Sequence, residues 1–173
     1  MTVEASAIDS KTDVPVSVIL LLDTGAQRSF ISQEAVARLH LTVTNITPLT
    51  TVMFGGVHTT EQSGVTQATL LDDTNKKLSL TLRTKDRITI SCMPYYVTYE
   101  DRRLHLLHTS HRILTAARTI VPDILIGIDY FWDIFTADHP QTLPSGLVLC
   151  YTRFGPTLSG SKFFRGLHTT TSH

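Results

Sequence analysis

The sequence predicts a mostly β fold, and three patterns carry that expectation. Leu78, Leu80 and Leu82 alternate with Ser79, Thr81 and Arg83, the two-residue period of a half-buried strand. Ile19-Leu20-Leu21-Leu22 is a short apolar run that stops at Asp23-Thr24-Gly25, as a buried strand does on reaching a turn. Thr- and Val-rich stretches flank the adjacent glycines Gly55 and Gly56, which is a hairpin signature.

The elements follow in order. Val3 to Ala7 and Val14 to Leu22 read as strands around the polar turn Asp9–Asp13, whose Asp and Ser side chains can bond their own backbone. Pro15 fits only the entry or edge of the second strand. Ser29-Phe30-Ile31 is a short strand, and Ser32 is placed to cap a helix from Gln33 to Leu39. Strands are expected over 42–52, 65–71, 78–83, 88–92 and 95–99. Glu100 to Arg118 is richer in Arg, His and Leu, lacks Gly and Pro, and reads as an inserted helical or irregular segment. Strand character returns at Ile120 and in Ile124-Leu125-Ile126, before a short helix over Asp129–Phe135 with Asp129 as its cap. Pro140 to Gly146 is loop, Leu147 to Tyr151 is strand, and Arg153 to Gly160 is interrupted by glycine. Phe131, Trp132 and Phe135 are expected in the core. The domain organisation is one domain over 1–160 and a patternless, disordered tail over 161–173.

Composition narrows the functional classes. The chain has 173 residues, 42% hydrophobic and 17% charged, which suits a single folded domain. Fifteen basic residues balance fifteen acidic ones, so no charge excess points to nucleic acid or a membrane surface. Two widely spaced cysteines, Cys92 and Cys150, form neither a disulfide framework nor a metal set. The N-terminus has no secretory pattern and no apolar run could span a bilayer, so the expected location is intracellular, in cytoplasm or nucleus. His105, His108 and His111 lie at i, i+3 and i+6, so the third is rotated off the face shared by the first two. They read as a solvated stripe rather than a zinc site, and no cofactor or metal is expected.

Asp23-Thr24-Gly25 is the stretch with chemistry. Two carboxylates within hydrogen-bonding range share one proton, and their titrations split. One can then activate water while the other protonates an amide carbonyl oxygen. Thr24 offers a hydroxyl to brace the turn, and Gly25 lets backbone approach closely. No second Asp-Thr-Gly or Asp-Ser-Gly occurs, so the chain holds one half of such a pair and a homodimer would complete it. An Asx turn ending a strand is the bland alternative for the same residues. Two other features sit at supporting positions: the glycine hairpin Phe54-Gly55-Gly56, suited to a mobile flap, and Ile124-Leu125-Ile126-Gly127, suited to walling a cleft.

In this order, Leu22-Asp23-Thr24-Gly25-Ala26, the glycine hairpin and Ile124-Leu125-Ile126-Gly127 before a helix resemble a retropepsin-type aspartic protease. Leu125 to Trp132, with Leu143-Pro144-Ser145-Gly146 and Thr152 to Gly160, resembles more narrowly the protease region of BEL/Pao-type retrotransposon polyproteins. The resemblance implies a closed β-barrel of the acid-protease fold and an obligate homodimer acting on a peptide or polyprotein. Asp23 would be the catalytic acid, with Thr24 and Gly25 as the braced turn. Ala26, Gln27 and Arg28 would line the substrate groove, Phe54, Gly55 and Gly56 would form the flap tip, and Leu125 would wall the side-chain pockets. Relatives often pair an acid just after the turn with a base after the wall glycine; Gln27 and Ile128 stand there, which implies a less ionic groove. A catalytically inactive dimerisation or peptide-binding scaffold of the same fold is the alternative.

Overall fold

The computed structural model describes residues 1–52, 55, 56, 58–89, 95, 97–103, 113 and 119–160. Phe54, Cys92, His105, His108, His111, most of the 100–118 insertion and the 161–173 tail therefore lie outside the described residues.

The described chain is mostly β. Strands β1 (Thr2–Ile8) and β2 (Pro15–Leu22) form an antiparallel hairpin in the register Thr2↔Leu21 to Ile8↔Pro15. Asp9 closes it: its carboxylate accepts from the Lys11 N–H at 2.8 Å, and its carbonyl accepts from Asp13 N–H at 2.9 Å. Pro15 sits at the strand entrance, where a missing N–H costs least. Strand β3 (Phe30–Ser32) leads into helix α1 (Gln33–Arg38). Ser32 is its N-cap, accepting from Ala35 N–H at 3.1 Å. Strands β4 (Thr44–Val52), β5 (His58–Leu71) and β6 (Lys77–Lys85) form a meander. Strand β5 begins seven residues before the expected Val65, because its first half is polar and mostly exposed and shows no hydrophobic alternation.

The expected strand over 95–99 gives way to a turn of helix. Helix α2 (Tyr99–Asp101) starts at a capping box in which Thr98 Oγ accepts from Asp101 N–H and the Asp101 carboxylate accepts from Thr98 N–H. Strand β7 (Ile124–Ile126) precedes helix α3 (Ile128–Ile134), and the short strand β8 (Gln141–Thr142) lies in the stretch read as loop. Strands β9 (Val148–Thr152) and β10 (Gly155–Ser159) form a closing hairpin.

The main sheet runs β1-β2-β7-β3-β6-β5-β4, and a further pairing of β1 with β5 joins its ends into a ring that leaves β4 outside. Inside lie Val18, Leu20, Ile31, Leu70, Leu80, Leu82, Ile124 and Ile126, all fully buried, with α1 and α3 adding Ala35 and Ile134. Strands β8, β9 and β10 form a separate three-stranded sheet over a smaller core of Val97, Leu143, Leu147, Leu149 and Leu158. Of the three expected core aromatics, Phe131 is buried and stacks on Phe135 at 4.5 Å between centroids. Trp132 is instead 73% exposed, because Phe131 and Ile134 occupy the inward side of α3 and the indole points away.

Candidate active site

The acid turn is built by three strands. β7 lies parallel to β2, with Leu22 opposite Ile126, and antiparallel to β3, with Phe30 opposite Leu125. It thus threads between the strand that enters the Asp23 turn and the strand that leaves it. Asp23 N–H donates to Ile126 C=O at 3.0 Å, continuing the β2–β7 ladder one residue into the turn. Ala26 N–H donates to Asp23 C=O at 3.2 Å and makes the reversal tight. Gly25 N–H donates to Asp23 Oδ1 at 2.9 Å, which fixes one carboxylate oxygen. Asp23, Thr24 and Gly25 are all exposed, so the other carboxylate oxygen faces outward at the end of a rigid strand.

Gly127 clasps the turn from behind. A Cβ at that position would stand 2.7 Å from both Ala26 O and Arg28 O, so only glycine lets β7 pass this close. Ile128 N–H donates to Ala26 C=O at 2.9 Å and completes the clasp.

Two residues that the sequence reads otherwise, Ser29 as strand and Asp129 as a helix cap, sit in this clasp. Asp129 is not the α3 cap; Gly127 holds that position and the helix starts one residue earlier. The Asp129 carboxylate instead accepts from Ser29 N–H at 3.0 Å and Ser29 Oγ–H at 2.6 Å. Ser29 Oγ in turn accepts from Gly127 N–H at 2.9 Å. Ser29 is buried, so this relay ties the acid turn to the wall strand and helix without an arginine. Gln27 and Ile128 carry no charge, and the bonds across this junction run through Ser29 and Asp129. The faint signal is a serine soon after Asp-Thr-Gly matched by an acid soon after the wall glycine.

The other expected site residues are placed as follows. Ala26 is half-buried at the turn, while Gln27 and Arg28 are exposed. Both line a cavity of about 450 Å³ beside the turn, together with Arg83 and Asp129. Leu125 is half-buried, and its register puts it on one face with Leu21 and Phe30. Gly55 and Gly56 lie at the tip of the β4–β5 hairpin with φ of 88° and 78°, values that favour glycine. Among the described residues no hydrogen bond joins that tip to the Asp23 turn. A larger cavity, about 720 Å³, lies elsewhere and has none of these residues in its lining; its Arg38 is already paired with Asp123 at 2.7 Å. Among the described residues no cluster of three His, Cys, Asp or Glu side chains is placed to hold a metal.

An outward carboxylate on a braced strand end can act as a general base or acid once a second group is brought opposite it. Neither a curated protein nor a solved structure matches the chain. Residues 5–165 match the model of a family described as "Putative peptidase (DUF1758)", and the chain belongs to that family.

Proposed function

We propose that the chain is a retropepsin-like aspartic endopeptidase that works as a homodimer, one Asp23 from each copy. The observation that carries this reading is the exposed Asp23 carboxylate, held by Gly25 N–H on a turn that β7 and Gly127 brace from behind. Membership of a peptidase family supplies the reaction class, and the strand ring supports a barrel of the acid-protease type. The motif occurs once, so the facing acid comes from a second copy related by a two-fold axis.

In such a pair the two carboxylates share a proton. The ionised one takes a proton from a water held between them, and the water oxygen attacks the peptide carbonyl. The protonated one gives its proton to the carbonyl oxygen. The tetrahedral intermediate collapses with proton transfer to the amine, and no covalent adduct with the protein forms. The peptide would lie extended, with the β4–β5 hairpin folding over it and alternate side chains entering pockets near Gln27, Arg28 and Leu125. The sequence likeness to BEL/Pao polyproteins makes a polyprotein the natural substrate under this reading.

Asp23→Asn tests it. The variant should lose peptide cleavage by about a thousandfold or more, while sedimentation shows the same association state as the parent. Full-rate cleavage by Asp23→Asn would sink the proposal.

A further inference from the structure

We propose that the cavity beside the acid turn is a side-chain pocket for an acidic residue of the substrate, with Arg83 and Arg28 as its recognition groups. The proposal rests on the aspartic-peptidase reading for the direction in which a peptide lies, and on its own observations for the chemistry.

The cavity, about 450 Å³, is lined by Gln27 and Arg28 from the acid turn, by Val65 of β5, by Leu82 and Arg83 of β6, and by Asp129. Two of its lining residues, Gln27 and Arg28, belong to the loop that carries Asp23. Arg83 is tied to that loop: it pairs with Phe30 across β3–β6, and its N–H donates to Ser29 C=O at 3.3 Å. Its guanidinium has not found a partner. Arg83 Nη1 is buried and makes no hydrogen bond. Among the described residues neither Arg83 nor Arg28 has an acidic partner within 4 Å, whereas Arg38 and Arg153 both do. The one acid in the lining, Asp129, is committed through both oxygens to Ser29. The pocket thus presents two cations against one satisfied anion.

A carboxylate entering the cavity beside Arg83 and Arg28 would meet two guanidinium groups that no acid among the described residues neutralises. A carboxylate also matches the guanidinium fork with two parallel hydrogen bonds, which a neutral amide cannot equal and an amine opposes. Val65 and Leu82 supply apolar wall for the methylenes that carry the carboxylate. The pocket therefore selects glutamate or aspartate over glutamine, asparagine and lysine at one position of the peptide.

The test uses the whole chain and octapeptides in which each position in turn carries Glu or Gln, with cleavage read by mass spectrometry. At one position, kcat/KM for Glu should exceed that for Gln by about tenfold, and the ratio should shrink as salt rises. In Arg83→Gln that ratio should fall to within about twofold, while preferences at other positions stay as they were; Arg83→Lys should keep part of it. No Glu preference at any position in the parent protein overturns the proposal, and so does a preference that survives Arg83→Gln. If the parent cleaves nothing, the catalytic reading falls, and anisotropy with the same peptides, fluorescently labelled, decides the pocket separately. Tighter binding of the Glu peptide that is lost in Arg83→Gln then supports it, and equal binding overturns it.

Discussion

Gly127 and Asp129 set the tolerance of the acid turn at the scale of single residues. Gly127→Ala forces a methyl against two backbone oxygens that cannot rotate away, so β7 must separate from the turn. We expect a loss of about 1–3 kcal/mol in stability and a larger fractional loss in cleavage, read by urea unfolding and peptide assay together. Asp129→Ala leaves the buried Ser29 N–H without an acceptor and should cost about 1–3 kcal/mol; Asp129→Asn, which can still accept one bond, should cost less. The residues of this site differ in how readily the sequence shows them. Asp23 and Gly127 are visible because each sits at the end of an apolar run. Ser29 and Asp129 are not, because each has an ordinary local explanation, and only the threading of β7 brings residues 100 positions apart into contact. Acid sensitivity also belongs to individual residues. The Arg153 guanidinium beside Asp72, aided by Thr74 and Lys76, holds that carboxyl well below the usual carboxylate range. Burial pushes Asp101 upward, but bonds from Thr98 and Ser145 outweigh it and leave the group below its ordinary value. Both folded values lie below the unfolded one of about 3.9. Their stabilisation is therefore complete above that value and is lost as pH falls through the folded values. Tm should drop steeply below about pH 4, and Asp72→Asn should flatten that slope.

Among the elements, the β4–β5 hairpin is the one on which the flap reading can be tested. Its tip glycines have positive φ and open space around an added Cβ, so a substitution there meets backbone strain and no clash. Gly55→Ala combined with Gly56→Ala should therefore cost about 1–2 kcal/mol per position in the hairpin itself. Under the flap reading it should also raise KM for peptides while leaving the melting of the ring core nearly unchanged, as calorimetry would show. The hairpin was legible from Gly55-Gly56 and β-prone flanks. Its true length was not, since an arm exposed on both faces carries no alternating pattern, and β4 is exposed at most positions. α3 starts one residue before the position its sequence suggests, for a related reason. An acid at the head of an apolar helix looks like a cap, yet a glycine pressed against a neighbouring loop took that role.

For the whole molecule, β content was readable strand by strand, whereas the order of strands was not. Nothing local says that β7 enters between β2 and β3, or that β6 pairs with β3 in parallel. The homodimer reading can be tested without labels. Trp132 is the chain's one tryptophan, and it stands a turn from exposed Ile128, which is bonded to the acid turn. Pairing of two copies about the Asp23 turns should move its emission to the blue as concentration rises. A dimer seen by sedimentation with unchanged emission would put the contact off this face. One further property follows from how the ring is closed. β5 and β6 share seven residue pairs, but β1 and β5 meet at only two, Ser6 with Leu71 and Ala7 with Leu70. That seam is expected to part before either flanking hairpin unzips. Parting it bares two strand edges and the otherwise buried Ala7 and Leu70, a sticky template for other chains. Solubility on storage should then track seam opening rather than global unfolding. Amide exchange at Ala7 and Leu70 running ahead of Leu80 and Leu82 would be its signature.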